Sequence, residues 1–181
     1  MKENYIIAAF RETVAQQFPE QSVELNRLLD EKLSRLRSMH LNASKEKQFH
    51  LESQILPGIA AYETLQTVMP KDEALQTVHG YVAEHAQTMR KTILKLLRVP
   101  GIYRLPPVLF SKLMPKFYGE TAGFAATEYQ TSGGVWRIDM TKCPYHDTCV
   151  EHGCPELCPC FCDSDDIAYD DLHPKLVWPV S

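Results

Sequence analysis

The chain has 181 residues, of which 44% are hydrophobic and 23% are charged, an ordinary composition that excludes two full catalytic domains. The net charge of -4 and the isoelectric point near 6.0 argue against a nucleic-acid-binding protein, which needs a basic surface to release counterions from phosphates. We therefore expect a single domain over residues 1–181, mainly helical over residues 1–120.

The beginning of the chain predicts the compartment. The apolar run from Ile6 to Phe10 is short and is bounded by charged residues, unlike a signal peptide. No stretch approaches the roughly 18 consecutive apolar residues of a membrane span. We expect a cytoplasmic protein without membrane contact, in which clustered cysteines are thiols or metal ligands and not disulfides.

Helical spacing of apolar residues dominates the first 99 residues. The pattern predicts four helices, with Ser22 capping the second and Ser44 at the start of the third. Pro57 should kink or break the third helix, and Pro70 opens the long fourth helix. Residues 102–120 are rich in proline and aromatic residues, which predicts a short core-facing helix or, alternatively, a lid over a pocket.

The period of the apolar pattern then changes to two. Residues 121–131 and 135–141 flank a Ser-Gly-Gly turn, which indicates a β-hairpin. Residues 155–171 have a helical pattern, and residues 176–178 predict a short strand. The predicted fold class is α+β, with a helical N-terminal layer packed on a small antiparallel sheet and a cysteine-rich C-terminal segment.

The cysteine-rich segment is also the acidic part of the chain. Residues 141–181 carry a net charge of -6, whereas the other 140 residues carry +2. All six cysteines lie here, within 20 residues, and no two have the CxxC spacing of most structural zinc sites. The cysteines are Cys143, Cys149, Cys154, Cys158, Cys160 and Cys162. We expect the chemistry of the protein to reside in this segment.

A divalent metal such as zinc is one interpretation of this segment. The candidate ligands recur at every third residue and are Cys143, His146, Cys149 and His152. On a helix this spacing places two successive pairs along one face. Pro144 and Gly153 instead indicate a loop or a single turn, which argues against the metal.

The later cysteines have a different pattern. Cys158 is expected to pack in the core as a small hydrophobic residue. Cys162 is followed directly by acidic residues, which raise the pKa of a thiol and do not activate it. A nucleophilic Cys162 would therefore need a cationic partner, and the nearest candidates in sequence are Arg137, His146 and His152.

The segments CPYHDTC, GCPEL and FCDSDDIAYDDLHPKL resemble the C-terminal signature of the L-2-amino-thiazoline-4-carboxylic acid hydrolase family. The resemblance covers residues 143–178, about a fifth of the chain. It implies the opening of a small cyclic amidine to N-carbamoyl-L-cysteine, with water adding to the carbon between sulfur and nitrogen. The cofactor stays open, with none or the divalent metal considered above as the alternatives.

This resemblance also implies roles for particular residues. Such a reaction needs a base for water, a proton donor for the leaving sulfur and a cation for the substrate carboxylate. The base would be Asp165 or Glu156. Cys162 or His146 would be the acid or the nucleophile. Arg137 would anchor the carboxylate.

The family pattern continues beyond the point where this chain ends, with a further stretch that predicts one more strand. We therefore expect a shortened member of the family, in which an exposed sheet edge favours a homodimer. Two other classes of function stay open beside the hydrolase. One is a non-catalytic sensor module that binds a small molecule or a metal, and the other is a redox or metal-cluster protein.

Overall fold

A computed structural model describes residues 3–102, 116–130 and 136–172 of the chain. Helices make up most of these residues. The α-helices are α1 (Tyr5–Gln17), α2 (Ser22–Met39), α3 (Lys45–His50), α4 (Leu56–Leu65), α5 (Lys71–Leu97), α6 (Pro144–Glu151) and α7 (Cys158–Tyr169), and the strands are β1 (Ala125–Gln130) and β2 (Trp136–Lys142). The α+β class is confirmed.

The helix starts differ in how they are capped. Helix α3 starts beside Ser44 as predicted, and Ser44 caps it, because its side chain accepts a hydrogen bond from the backbone N–H of Lys47 at 3.1 Å. Ser22 begins α2 but does not cap it. Its hydroxyl donates to the carbonyl of Pro19 at 3.0 Å, so the predicted capping role of Ser22 is wrong.

Pro57 does not break the third helical segment. The chain passes from α3 through a π-helical turn, Leu51–Ile55, directly into α4. Proline has no N–H to offer the carbonyl four residues earlier, that of Ser53. The Asn4 side chain donates to this carbonyl at 2.8 Å and so ties the start of α1 to the π-helical turn. The predicted break is therefore absent.

The hydrophobic core lies among the helices. It combines the apolar faces of α1, α2, α4 and α5 with buried residues of α6 and α7. Gly58 of α4 is part of this packing, because a Cβ atom there would lie 2.7 Å from Cζ of the buried Phe161 in α7. The absence of a side chain at Gly58 thus allows α7 to pack closely against α4.

Helix α7 also packs along α5. Nε2 of His79 lies 3.0 Å from a carboxylate oxygen of Asp163. The guanidinium of Arg90 donates to the carbonyls of Ile167 and Asp170 at the C-terminal end of α7. These contacts fix the position of the cysteine-bearing helix α7. The apolar pattern of residues 155–171 predicted a helix in this part of the chain. It is preceded by a 3₁₀ turn, Pro155–Leu157.

The hairpin is antiparallel, with a register irregularity between Ala125 and Ala126. The segment before it forms a 3₁₀ turn, Glu120–Ala122, so the first strand is shorter than predicted. The predicted loop or single turn between Pro144 and Gly153 is wrong, because this segment forms the two-turn helix α6.

Some predictions lie outside the described residues. They are the turn at residues 132–134, the strand at residues 176–178 and most of the short helix or lid at residues 102–120. In the part of the chain that the structure describes, no helix is both long and apolar enough to cross a membrane.

Candidate active site

One face of helix α7 presents three groups that can exchange protons. Cys158 and Cys162 are four residues apart, and Asp165 follows three residues later, so all three lie on neighbouring positions of the helix surface. Cys158 is buried, whereas Cys162 and Asp165 are accessible to solvent. A potential ligand can therefore reach the thiol of Cys162 and the carboxyl group of Asp165.

The Cys158 thiol changes the acidity of Cys162. Its hydrogen bond to the Cys162 sulfur lowers the pKa of Cys162 to about 7, although burial and the acidic residues Asp163, Asp165 and Asp166 oppose this shift. The same hydrogen bond, together with burial, raises the pKa of Cys158. The sequence predicted that only a cationic side chain could activate Cys162. That expectation is wrong, because the activating partner is the thiol one turn earlier.

The carboxyl group of Asp165 has a raised pKa. Burial, and secondarily the charge of Asp166, raise the pKa of Asp165 to about 6. The side chain is nevertheless accessible to solvent. Asp165 thus lies at the surface with enough protein around its carboxyl group to disfavour the charge. We call the surroundings of Cys162 and Asp165 the α7 recess.

Three tyrosine side chains lie close enough to the α7 recess to feel the charge of Asp165. Burial and then the Asp165 charge raise the pKa of Tyr118 to about 12, and the same two causes raise the pKa of Tyr169. The pKa of Tyr145 is raised well above 10 by burial, with Tyr118 and Asp165 as further causes. These phenols stay protonated at neutral pH and place aromatic side chains near Asp165.

A buried histidine orients Tyr145. Nε2 of His50 lies 2.6 Å from the carbonyl oxygen of Phe117, and its Nδ1 lies 3.1 Å from the Tyr145 hydroxyl. A carbonyl can only accept, so Nε2 carries the proton and Nδ1 accepts from Tyr145. Burial lowers the pKa of His50, which keeps the imidazole neutral and consistent with this tautomer.

His50 was not predicted from the sequence. It sits at the end of α3 and is 2% exposed. Aromatic rings contact it from three parts of the chain, and these are Phe49, Tyr118, Phe124 and Tyr145. The only local signal was a histidine on the apolar side of a predicted helix, which is more often a core residue than a site residue.

Two predicted site residues are engaged in other contacts. Glu156 accepts hydrogen bonds from the Tyr62 hydroxyl at 2.7 Å and from Nζ of Lys71 at 2.8 Å. Burial opposes ionisation of Glu156, but these two bonds outweigh it and lower its pKa, which makes it a poor base. His146 is exposed on α6, with Nδ1 3.5 Å from a carboxylate oxygen of Asp147.

Arg137, the predicted carboxylate anchor, lies in β2 opposite Tyr129. The hairpin backbone is described here, but the placement of the Arg137 side chain lies outside the described structure. Its predicted role therefore stays a prediction.

The four predicted metal ligands do not come together. Cys149 is fully buried and its thiol interacts with Cys154, whereas His146 is exposed. Nε2 of His152 lies 2.9 Å from Nε2 of His40. Within the described residues, the one group of three or more side chains placed to hold a metal ion is His40, Glu151 and His152, not the predicted set.

The fold and the α7 recess define a helix-rich α+β domain with an accessible thiol and a carboxyl group of raised pKa side by side. The model of the L-2-amino-thiazoline-4-carboxylic acid hydrolase family matches residues 48–180, about three quarters of the chain. The chain therefore belongs to this family. The match includes α4, α5, the hairpin and all six cysteines. No curated protein and no solved structure matches the chain.

Proposed function

We propose that this protein hydrolyses a small cyclic amidine of the 2-amino-thiazoline-4-carboxylate type, using Cys162 and Asp165 in the α7 recess. Family membership supports a hydrolase of this kind. The observation that carries the assignment is the pairing of an accessible thiol with a pKa of about 7 and a carboxyl group with a pKa of about 6 on one helix face. Groups that titrate near neutral pH are the ones suited to proton transfer.

Asp165 is the general base in this proposal. Its carboxylate takes a proton from water while the water oxygen bonds to the ring carbon between sulfur and nitrogen. The raised pKa of Asp165, about 6, makes it a stronger base than an ordinary aspartate and leaves it mostly ionised at pH 7. Burial of the carboxyl group is the physical cause of this tuning.

Cys162 is the general acid. The bond from the ring carbon to sulfur breaks, its electron pair stays on sulfur, and the Cys162 thiol protonates the leaving thiolate. An alkyl thiol has a pKa of about 8.5, so proton transfer from Cys162, with a pKa of about 7, is downhill. The protonated Asp165 then returns a proton to the Cys162 thiolate. The C=N electron pair moves to the ring nitrogen when water adds and forms C=N again when sulfur leaves, and the resulting isourea transfers its hydroxyl proton to nitrogen. The product is N-carbamoyl-L-cysteine, and both side chains regain their starting states.

The tyrosines give the recess its binding surface. Tyr118 and Tyr169 offer protonated hydroxyls and ring faces to a flat heterocycle, whereas the hydroxyl of Tyr145 donates its proton to His50 and can only accept from a ligand. The His50 to Tyr145 hydrogen bond holds one of these hydroxyls in a fixed orientation. Arg137 remains the proposed partner of the substrate carboxylate. The remaining sequence-based candidates for acid and base, His146 and Glu156, have no role in this mechanism.

The same recess also suits a non-catalytic sensor module. The aromatic surface formed by Tyr118, Tyr145 and Tyr169 favours binding of a planar ligand whether or not the ligand is then hydrolysed. Binding without turnover would therefore support the sensor, and the test must measure both.

The test is incubation of the full chain with a large excess of L-2-amino-thiazoline-4-carboxylate. We expect free thiol to appear over many turnovers and N-carbamoyl-L-cysteine to be identified by NMR. The excess matters because six protein cysteines also react with thiol reagents. Saturable binding measured by calorimetry without release of thiol would contradict the hydrolase and favour the sensor.

A further inference from the structure

A second group of polar side chains lies where the ends of two helices meet. His40 follows the last residue of α2, Glu151 is the last residue of α6, and His152 follows it. Their ligand atoms all lie within 4.8 Å of one another. The two histidines are 112 positions apart in sequence, so the tertiary fold alone brings them together.

The sequence explains why the two helix ends expose these side chains. His40 and His152 are both C-cap residues, whose backbone N–H groups bond to the carbonyls of Arg37 and Thr148. Gly153 follows with a φ of 72°, a conformation that favours glycine and turns the chain away from α6. The imidazole of His152 is thereby left facing α2, while His40 is only 8% exposed.

The distance between the imidazoles fits a shared metal ion. The two Nε2 atoms are 2.9 Å apart. Two imidazole nitrogens on one tetrahedral zinc ion, each about 2.0–2.1 Å from it, are roughly 3.3 Å apart. A small widening of the pair would therefore admit the ion. The Glu151 carboxylate is close enough to supply a third ligand.

We propose that His40, Glu151 and His152 form a binding site for a divalent transition metal such as Zn²⁺. Two imidazoles and one carboxylate are donors that such ions accept, and a three-ligand set leaves the fourth position for water. Two charged side chains act on the pKa of His40. The carboxylate of Glu151 raises it, and the ammonium group of Lys47 lowers it. Metal binding here clamps the end of α2 to the cysteine-rich segment.

This site is independent of the proposed hydrolysis, because it uses none of the residues placed in the α7 recess. Without a metal, the two imidazoles would form an ordinary histidine–histidine hydrogen bond. The experiment must separate these two states. It must also exclude the six cysteines, which are alternative ligands for zinc.

The test uses the full chain, treated with chelator and then titrated with Co²⁺ and Zn²⁺. We expect one ion per chain, a Co²⁺ absorption spectrum without thiolate charge-transfer bands, and a rise in melting temperature on binding. His40→Gln and His152→Gln should weaken Zn²⁺ binding, measured by calorimetry, by at least about tenfold. His146→Gln, which removes an exposed histidine of α6 outside the site, should leave affinity unchanged.

Glu151→Gln serves as a second variant because Glu151 is exposed and its replacement should not affect folding. Glu151→Gln should also weaken Zn²⁺ binding. It therefore tests the site even if the two histidine variants fail to fold. Thiolate bands in the Co²⁺ spectrum, or wild-type affinity in Glu151→Gln and His152→Gln, would overturn the proposal.

Discussion

The Cys158 thiol donates a hydrogen bond to the Cys162 sulfur one turn later in α7, and this contact lowers the pKa of Cys162 to about 7. Cys162 is also the exposed cysteine among the six, whereas Cys143 is half-buried and the other four are buried. The contact therefore produces one thiol that is both accessible and partly ionised at neutral pH.

This relationship predicts the order of alkylation. In the native protein at pH 7, iodoacetamide should modify Cys162 first, as measured by mass spectrometry of peptides. Cys158→Ala removes the hydrogen-bond donor and should slow this modification by at least roughly threefold, because fewer thiolates form although each becomes more nucleophilic. Cys160→Ala is the matched control and should leave the rate unchanged. Equal rates in all three proteins would contradict the role of Cys158.

The sequence predicted the helical framework well, because apolar periodicity and proline positions are local signals. Helix α6 was missed since Pro144 and Gly153 were interpreted as loop residues. Proline is also favoured at the first helical position and glycine just beyond the last, and both residues occupy those positions here. The sequence thus contained the boundaries of α6.

Parts of the candidate site could not be predicted, because their partners are distant in sequence. The two hydrogen-bond partners of His50 lie 67 and 95 positions away. The contact between His40 and His152 spans 112 positions. Cys162 and Asp165 were chosen from the family resemblance as candidate catalytic residues, and that choice stays a prediction. The sequence did not show that the partner lowering the pKa of Cys162 is a neutral thiol and not a cation.

Asp165→Asn should stabilise the fold at alkaline pH. The pKa of Asp165 is raised to about 6, so the folded state disfavours the ionised carboxylate and binds more protons than the unfolded chain between about pH 4 and 6. Stability from this group is thus lost as the pH rises through that range. The variant should melt higher than wild type at pH 8 and nearly equally at pH 4. An equal or lower melting temperature of the variant at pH 8 would contradict the raised pKa of Asp165.

Gly58→Ala should destabilise the fold because the new methyl group would lie 2.7 Å from Cζ of Phe161. Phe161 is buried and cannot move freely, so we expect a loss of about 1–3 kcal/mol in the free energy of unfolding. Gly80→Ala is the matched control in α5, where nothing lies within 4 Å. It should gain up to about 1 kcal/mol from helix propensity. Urea unfolding measures both, and a neutral Gly58→Ala would mean that α4 and α7 pack less closely.

Tyr145→Phe removes the donor to Nδ1 of His50 and leaves a buried acceptor without a partner. The expected loss is about 1–3 kcal/mol in the free energy of unfolding. Burial lowers the pKa of His50, so wild-type stability from this residue is present above about pH 6.5 and is lost as the pH falls below it. Tyr118→Phe, on a more exposed tyrosine, should cost less. Equal losses in urea unfolding for the two variants would contradict the His50 to Tyr145 hydrogen bond.

The most direct test of the α7 recess is the rate of thiol release from L-2-amino-thiazoline-4-carboxylate by wild type, Asp165→Asn and Asp163→Asn. Both variants remove one acid near Cys162 from the same helix, but Asp165 is the proposed base, whereas Asp163 contacts His79. The proposed mechanism predicts that Asp165→Asn lowers kcat by at least about 100-fold while Asp163→Asn stays near wild type. Unchanged turnover in a folded Asp165→Asn protein would contradict it.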